Sequence, residues 1–398
     1  MQILFLHDNF PAQFGYLGEF LAANGWDVWY GTQREGASHQ KIKVFNYKPH
    51  REITKDIHHY VANFERAAIS GQAVARSALA LAKKGLKPDI VMAHSGWGPG
   101  IYAKDIWPNA KYVGYFEWYY RRDAPDTLFI EKESKNLDQQ LRTRSRNAAI
   151  MMDLAQCDLA VCPTNFQKEQ FPECFHDKMR VMHDGINTGL YAPKAGAKLK
   201  LPNLDLSHVD EIITYVGRGM EPYRGFPEFM RALELVQKQR PNVHAVIVGE
   251  DRVAYGKPLP EGQTYKKKML GELELDMSRT HFTGLLPRPS YLDVLQASSV
   301  HVYLTVPFVL SWSMMESMSA GCALVASNTD PVGEMLSDGI HGITVDMKDA
   351  QAVADRIIYL LDRPELRQTL GEAARLAMIK DYSQNDALPA KMEMLQSL

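Results

Sequence analysis

The chain has 398 residues, a length that points to two domains rather than one core. It carries 45 Lys and Arg against 47 Asp and Glu, a net charge of −2, so no global field points to nucleic acid as a partner. The composition is 45% hydrophobic and 23% charged without a low-complexity tract, as in a globular enzyme. Cys157, Cys162, Cys174 and Cys322 form no C-x-x-C pair, which argues against a zinc site, and a reducing compartment fits. Cys162 and Cys322 read as small buried hydrophobes beside strands.

The opening MQILFLHDNF has no basic n-region and no long apolar stretch, so it reads as a buried strand and not as a secretory signal. No apolar run approaches the roughly 20 residues of a membrane span. The expectation is a cytoplasmic protein, or one peripheral to a membrane. Short apolar runs at 3–6, 28–30, 90–93, 112–116, 159–161 and 180–182 predict strands. Helical patterns at 13–23, 61–84, 101–106 and 130–156 lie between them. The rhythm restarts with strands at 212–216, 243–248, 281–283, 300–304, 323–326 and 343–345, separated by helices at 227–239, 291–297, 313–320 and 350–361. Strands too apolar to alternate, separated by helices, indicate parallel sheets covered on both faces. The fold class is therefore α/β with two Rossmann-like doubly wound domains. The first is expected over 1–188 and the second over 210–380, with a Gly-, Pro- and Lys-rich linker at 189–209. The segment 381–398 is expected to pack back on the first domain. Such sheets bind ligands at the carboxyl ends of their strands, which predicts a site in a cleft between the domains.

In IITYVGRGMEPYRGFPEFMRAL, strand 212–216 ends at Gly217, and Arg218 and Arg224 follow before a helix whose first turn contains Pro227. Two guanidinium forks beside a helix N-terminus suit a diphosphate. The alternative is a pair of solvated loop arginines. In HVYLTVPFVLSWSMMESMSAGCALVAS, Glu316 is placed in the first turn of a helix. There it either accepts hydrogen bonds from a ribose diol or closes a capping box with Ser313. The N–H groups of Ser311, Trp312 and Ser313 would suit a phosphate. The aromatic run GYFEWYYRRDAPD places Trp118, Tyr119 and Tyr120 after a buried strand, with Glu117 and Arg121 among them. These residues either hold a sugar acceptor or pack the helix at 130–156. Basic clusters in ALALAKKGLKPD and TYKKKMLGE are either solvated helix ends or contacts to anionic lipid.

Taken in order, these segments resemble the retaining family 4 glycosyltransferases of GT-B fold. YVGRGMEPYRGF is similar to the family's G-R-…-K-G segment, PDIVMAHSGWG to PDVVHAH, and VMHDGINTGLY to VIPNGVDT-x-x-F. HFTGLLPRPSYLDVLQASSVHVYLT resembles the V-x-F-x-G region, and ESMSAGCALVAS resembles E-A-M-A-x-G-x-P-V-V-A-S. The resemblance implies transfer from a nucleotide-diphosphate sugar to a saccharide or lipid-linked hydroxyl, with retention and without a metal or cofactor, in envelope polysaccharide or lipopolysaccharide assembly. By it, Arg218 and Arg224 hold the diphosphate, Glu316 the ribose, and His94 faces the donor sugar. Gly284 and Leu286 line the base pocket. Gly249 and Arg252 join Ser311–Ser313 in the donor set, and Gly15 joins Glu117, Trp118 and Tyr119 on the acceptor side. The sequence departs from the family at Phe308, where a second glutamate usually stands eight residues before Glu316, and at Gly15, alone where many members have paired glycines. Phe308 motivates a second reading, a nucleotide-sugar-binding protein with weak or lost catalysis. A nicotinamide-dependent dehydrogenase is disfavoured because no G-x-G-x-x-G follows either opening strand.

Overall fold

The computed structural model describes residues 1–130 and 136–398. The chain forms two compact units, Met1–Gly185 with Asn385–Leu398, and Ile186–Gln384. The first contains a seven-stranded sheet made of β1 (Gln2–Leu6), β2 (Asp27–Thr32), β3 (Lys43–Asn46), β4 (Ile90–His94), β5 (Lys111–Tyr115), β6 (Leu159–Cys162) and β7 (Met179–Val181). Their order is β3-β2-β1-β4-β5-β6-β7, every pair parallel.

The second unit opens with a small antiparallel hairpin, β8 (Lys200–Leu201) and β9 (Leu204–Asp205). Its main sheet comprises β10 (Ile212–Gly219), β11 (His244–Glu250), β12 (Thr280–Gly284), β13 (Val300–Tyr303), β14 (Leu324–Ser327) and β15 (Ile343–Val345). The order is β12-β11-β10-β13-β14-β15, again all parallel.

Both sheets reverse direction of winding beside their first strand, between β1 and β4 and between β10 and β13. Such switch points open a crevice at the carboxyl ends, which is where loops can hold ligands. The central strands are apolar throughout because helices cover both faces: β4, β6, β13 and β14 are buried at every residue. The edge strand β3 escaped sequence reading. Its end residues are exposed and its middle two half-buried, so it carries no long apolar run.

Three further differences matter. The helix expected over 130–156 is broken into Leu137–Ser145 and Ala148–Gln156, with Pro125–Ile130 before them; residues 131–135 of that expectation lie outside the described residues. Helix Pro364–Asp381 was not anticipated. The expected linker holds the β8–β9 hairpin, and Leu199, Leu201 and Leu206 pack there with Ile212 and Val246 of the second sheet.

Helix Gln384–Gln396 joins the first unit, where Met394 and Leu395 pack in the same core as Ile3, Phe5 and Val28. Its Lys391, 3% exposed, reaches the Asp184 carboxylate at 2.6 Å, and the Tyr115 hydroxyl donates to the other oxygen at 2.7 Å. Burial opposes the charge on Asp184, but Lys391, His183 and the Tyr115 hydroxyl together outweigh it and hold the pKa below the ordinary 3.8. A depressed carboxylate pKa contributes stability above that ordinary value, and the contribution is lost as the pH falls through the folded-state pKa. Asp184→Asn leaves a buried ammonium without its counter-charge and should cost about 3–5 kcal/mol of unfolding free energy at neutral pH. Urea titration measures this cost, and the gap between variant and parent should narrow below about pH 4.

Candidate active site

At the carboxyl end of β10 the chain runs through Gly217 and Arg218 into the short turn Pro222–Arg224, then helix Phe226–Gln239. Gly225 links turn and helix with φ of 60°, and a Cβ there would lie 2.4 Å from that of Leu304, so glycine is required. The turn carries Arg224 inward: the residue is 4% exposed. Its guanidinium donates to Thr305 Oγ1 at 2.7 Å and to the Val309 carbonyl at 2.9 Å, and lies over the Tyr255 ring at 5.1 Å. The Tyr215 hydroxyl holds its backbone carbonyl at 2.8 Å. Among the described residues no carboxylate pairs with this buried cation. Arg218, by contrast, is exposed and forms no ion pair among the described residues. The two arginines are thus unlike. One is fixed in position and short of counter-charge, the other exposed at the surface.

Glu221, fully buried between them, was missed in the sequence. Its carboxylate accepts the backbone N–H groups of Ala254, Tyr255 and Gly256 at 2.7–3.1 Å. That bracket pins the loop after β11, and so places the Tyr255 ring under Arg224. Its partners lie 33 to 35 residues downstream, beyond any local pattern. Gly249 lies at the start of this loop with φ of 143°, where a Cβ would sit 2.0 Å from the Gly217 carbonyl oxygen. Its geometry is explained by close strand approach. Arg252 is engaged with Glu250 at 2.5 Å on the surface.

Phe308, the departure from the family pattern, belongs to an aromatic cluster. Its ring meets Tyr223 at 5.5 Å and Tyr255 at 5.4 Å, both edge to face. Apolar ring edges therefore occupy the ground beside Arg224 where the family pattern would set a carboxylate.

The capping-box expectation fails. Helix Trp312–Ser319 is capped by Ser311, whose side chain accepts from the Ser313 N–H at 3.3 Å. Glu316 lies past the first turn and accepts from the Tyr291 hydroxyl at 2.7 Å instead. Burial raises its pKa above the ordinary 4.5, against the opposing hydrogen bond. The N–H of Ser311 is likewise taken, by Tyr303 Oη at 2.8 Å. The N–H groups of Ser311 and Ser313 are therefore not open to a phosphate as expected, and Trp312 is the exposed member of the three. Gly284 ends β12 in a left-handed conformation, φ 69°, and Leu286 packs on the apolar cluster around Leu199.

In the first unit the loops after β4 and β5 bring His94 and Glu117 together. His94 is 4% exposed; its Nδ1 lies 2.9 Å from the Ser95 carbonyl and its Nε2 3.2 Å from Glu117 Oε2. Both neighbours are acceptors, an arrangement that favours the doubly protonated ring. Burial works against that charge, yet Glu117 prevails and lifts the pKa above 6.5. Gln13 donates to the other Glu117 oxygen at 2.9 Å. With both nitrogens engaged, His94 has no free atom for a donor sugar, contrary to the role that the resemblance implied. Glu117, half-buried, is the member of the pair open to a ligand. Trp118 is 6% exposed and packs on Phe166 at 6.0 Å. Tyr119 packs on Phe171, and its hydroxyl meets Met151 on helix Ala148–Gln156. Tyr119 thus packs on the expected helical region, while Trp118 packs outside it, on Asn165–Lys168. Gly15 opens helix Gly15–Ala23, where a Cβ would press within 2.7 Å of Pro11.

Residues 24–191 match the glycosyl transferase family 4 group, and residues 201–377 match the glycosyl transferases group 1. The chain belongs to the group 1 glycosyltransferases. This glycosyltransferase is 24% identical over 271 residues to the lipopolysaccharide 1,2-N-acetylglucosaminetransferase of Salmonella typhimurium, covering 65% of this chain and 69% of that protein. It is 23% identical over 202 residues to the D-inositol 3-phosphate glycosyltransferase of Kribbella flavida, covering 50% of this chain and 46% of that one. The chain thus spans from about half to about two thirds of these relatives. Two solved structures share its GT-B fold: sucrose-phosphate synthase of Thermosynechococcus elongatus, with a TM-score of 0.74, 18% identity and 100% and 98% of the two chains covered, and Anabaena HepE in complex with UDP-glucose, with 0.73, 17% and both chains fully covered. No described helix of the glycosyltransferase is long and apolar enough to cross a membrane.

Two substitutions test this architecture. Glu221→Ala strands three backbone donors and should destabilise the fold by about 3 kcal/mol, read as a drop in melting temperature. Glu117→Gln removes the counter-charge of His94. The imidazole pKa, followed by NMR of its ring protons, should then fall, since burial would be opposed only by the Ser95 carbonyl and the Asp8 charge.

Proposed function

We propose that this glycosyltransferase moves a sugar from a nucleotide-diphosphate donor to a hydroxyl of a saccharide or lipid-linked acceptor, with retention of configuration. The observation that carries the reading is Arg224, a buried guanidinium supported by a hydroxyl and a carbonyl and lacking a carboxylate. A cation so placed favours a bound anion that replaces its lost hydration. A diphosphate supplies two negative centres, one for the fixed Arg224 and one for the adaptable Arg218. Glu316, whose carboxylate is met by Tyr291 and Tyr191, would accept a further hydrogen bond from a ribose hydroxyl.

Cleavage of the sugar–phosphate bond moves an electron pair onto the leaving diphosphate while the sugar becomes oxocarbenium-like. Charge develops on phosphate oxygen, so the two arginines stabilise the transition state more than the bound donor. The acceptor proton passes to that phosphate oxygen on the same face, which gives retention without a protein nucleophile. Glu117, on the first unit, is the polar group proposed to meet acceptor hydroxyls. The relative named for lipopolysaccharide transfer supports an envelope saccharide acceptor.

Phe308 supports a second reading, a donor-binding protein with weak turnover, because ring edges replace a carboxylate at that place. One measurement separates the two: release of nucleoside diphosphate from a panel of nucleotide sugars in the presence of saccharides. An enzyme turns over, whereas a binder gives thermal stabilisation alone. Arg224→Ala and Arg218→Ala should each lower kcat by about 100- to 1000-fold, the cost of losing one oxyanion-stabilising donor. Rates near the parent's in both variants would remove the basis of the proposal.

A further inference from the structure

We propose that Trp97 is the stacking platform for the acceptor saccharide, an inference that rests on the glycosyl-transfer reading and names a recognition element within it. Trp97 is 54% exposed, while its neighbours on both sides in the loop after β4 are covered: Ser95 is 7% exposed, Ile101 1%, and Gly98, Pro99 and Gly100 are buried. A large apolar ring that serves packing is normally covered. Here the backbone is buried and the ring alone stands out.

The loop is also rigid, for reasons that leave the indole no alternative place. Ser95 Oγ donates to Asp153 Oδ2 at 2.8 Å, and the Gly96 N–H bonds to the same carboxylate. Tyr112 Oη donates to Asp153 Oδ1 at 2.6 Å. Gly98 has φ of 105°, and a Cβ there would lie 2.3 Å from the Ala67 backbone on helix Ala62–Ala82. A Cβ on Gly100 would lie 2.2 Å from Tyr112 Oη. The backbone on both sides of Trp97 is thus clamped between that helix and β5, so the ring is presented with little loss of freedom on binding.

Its surroundings supply the rest of a sugar site. The indole centroid lies 6.4 Å from the His94 ring, which in turn holds Glu117. A pyranose has one face of axial C–H groups and a rim of hydroxyls. A bare indole face suits the first, and a half-buried carboxylate suits the second. Trp118 and Tyr119, aromatic residues of the same region, are committed to packing as described above.

The test begins with the parent enzyme, given UDP-glucose and other common nucleotide sugars with free and methyl-glycoside hexoses and oligosaccharides as acceptors. Kinetics with the best pair are then compared for Trp97→Phe, Trp97→Leu and Trp97→Ala. Stacking predicts an acceptor KM raised about tenfold in the Leu and Ala variants but only a few-fold in Phe, with donor KM within twofold throughout, since one aromatic contact is worth roughly a factor of ten. An acceptor KM within twofold of the parent in Trp97→Ala overturns the inference and leaves the transfer reading standing. Leu and Phe behaving alike also overturns it, because bulk and not the ring face would then matter. No transfer by the parent to any of these acceptors would overturn the transfer reading, and this inference with it.

Discussion

A guanidinium taken out of water without a carboxylate beside it is a costly object, and much of the second unit is arranged around one. Arg224 is fixed by Thr305, Val309 and the Tyr255 ring, and its own backbone by Tyr215. None of these partners neutralises it. Evolutionary removal would be simple, because a methionine or leucine would fill the space without desolvation cost. The charge is more readily understood as one kept for an anion that comes and goes. Electrostatic stabilisation works best when the stabilising groups are already in place before charge develops, and a buried, four-point-anchored arginine meets that condition.

The anchoring depends on a second group that does no chemistry. Glu221 gathers three consecutive N–H groups of the 254–256 loop into one carboxylate, and so sets the ring on which Arg224 rests. The same loop ring meets Phe308. Phe308 is therefore more than a lost glutamate. It is packed into a local aromatic assembly with Tyr223 and Tyr255, and a carboxylate in its place would lie among ring edges. Phe308 is thus part of the packing that surrounds Arg224.

The parallel sheets were legible in the sequence because buried strands must be apolar on both faces, and runs such as ITYV, AVIV and VHVY announce themselves. Strand β3 was hidden for the converse reason, since an edge strand with lysine and asparagine at its ends has no such requirement. Local chemistry was read less well. Two serines two residues apart both suit a helix cap, and only the chain's path chose Ser311 over Ser313, which freed Glu316 to meet Tyr291. Resemblance assigned His94 to the donor, but a nearby acceptor on each nitrogen is a three-dimensional fact, set by Ser95 and by a strand 23 residues on. Glu221 had no local signal at all. Trp97 stood in a quoted motif, yet exposure cannot be read from GWG.

Both units place their polar residues by one rule. In each, a buried group held by fixed partners stands a few residues from an exposed one. Arg224 and Arg218 divide that labour in the second unit, and His94 and Trp97 divide it in the first. Glycines make the division possible. Gly225 turns the chain so that Arg224 enters the interior, and Gly98 lets the backbone press on Ala67 so that Trp97 cannot follow it inward. A side chain at either glycine would force the loop away from the sheet, and the buried and the exposed member would lose their fixed separation together.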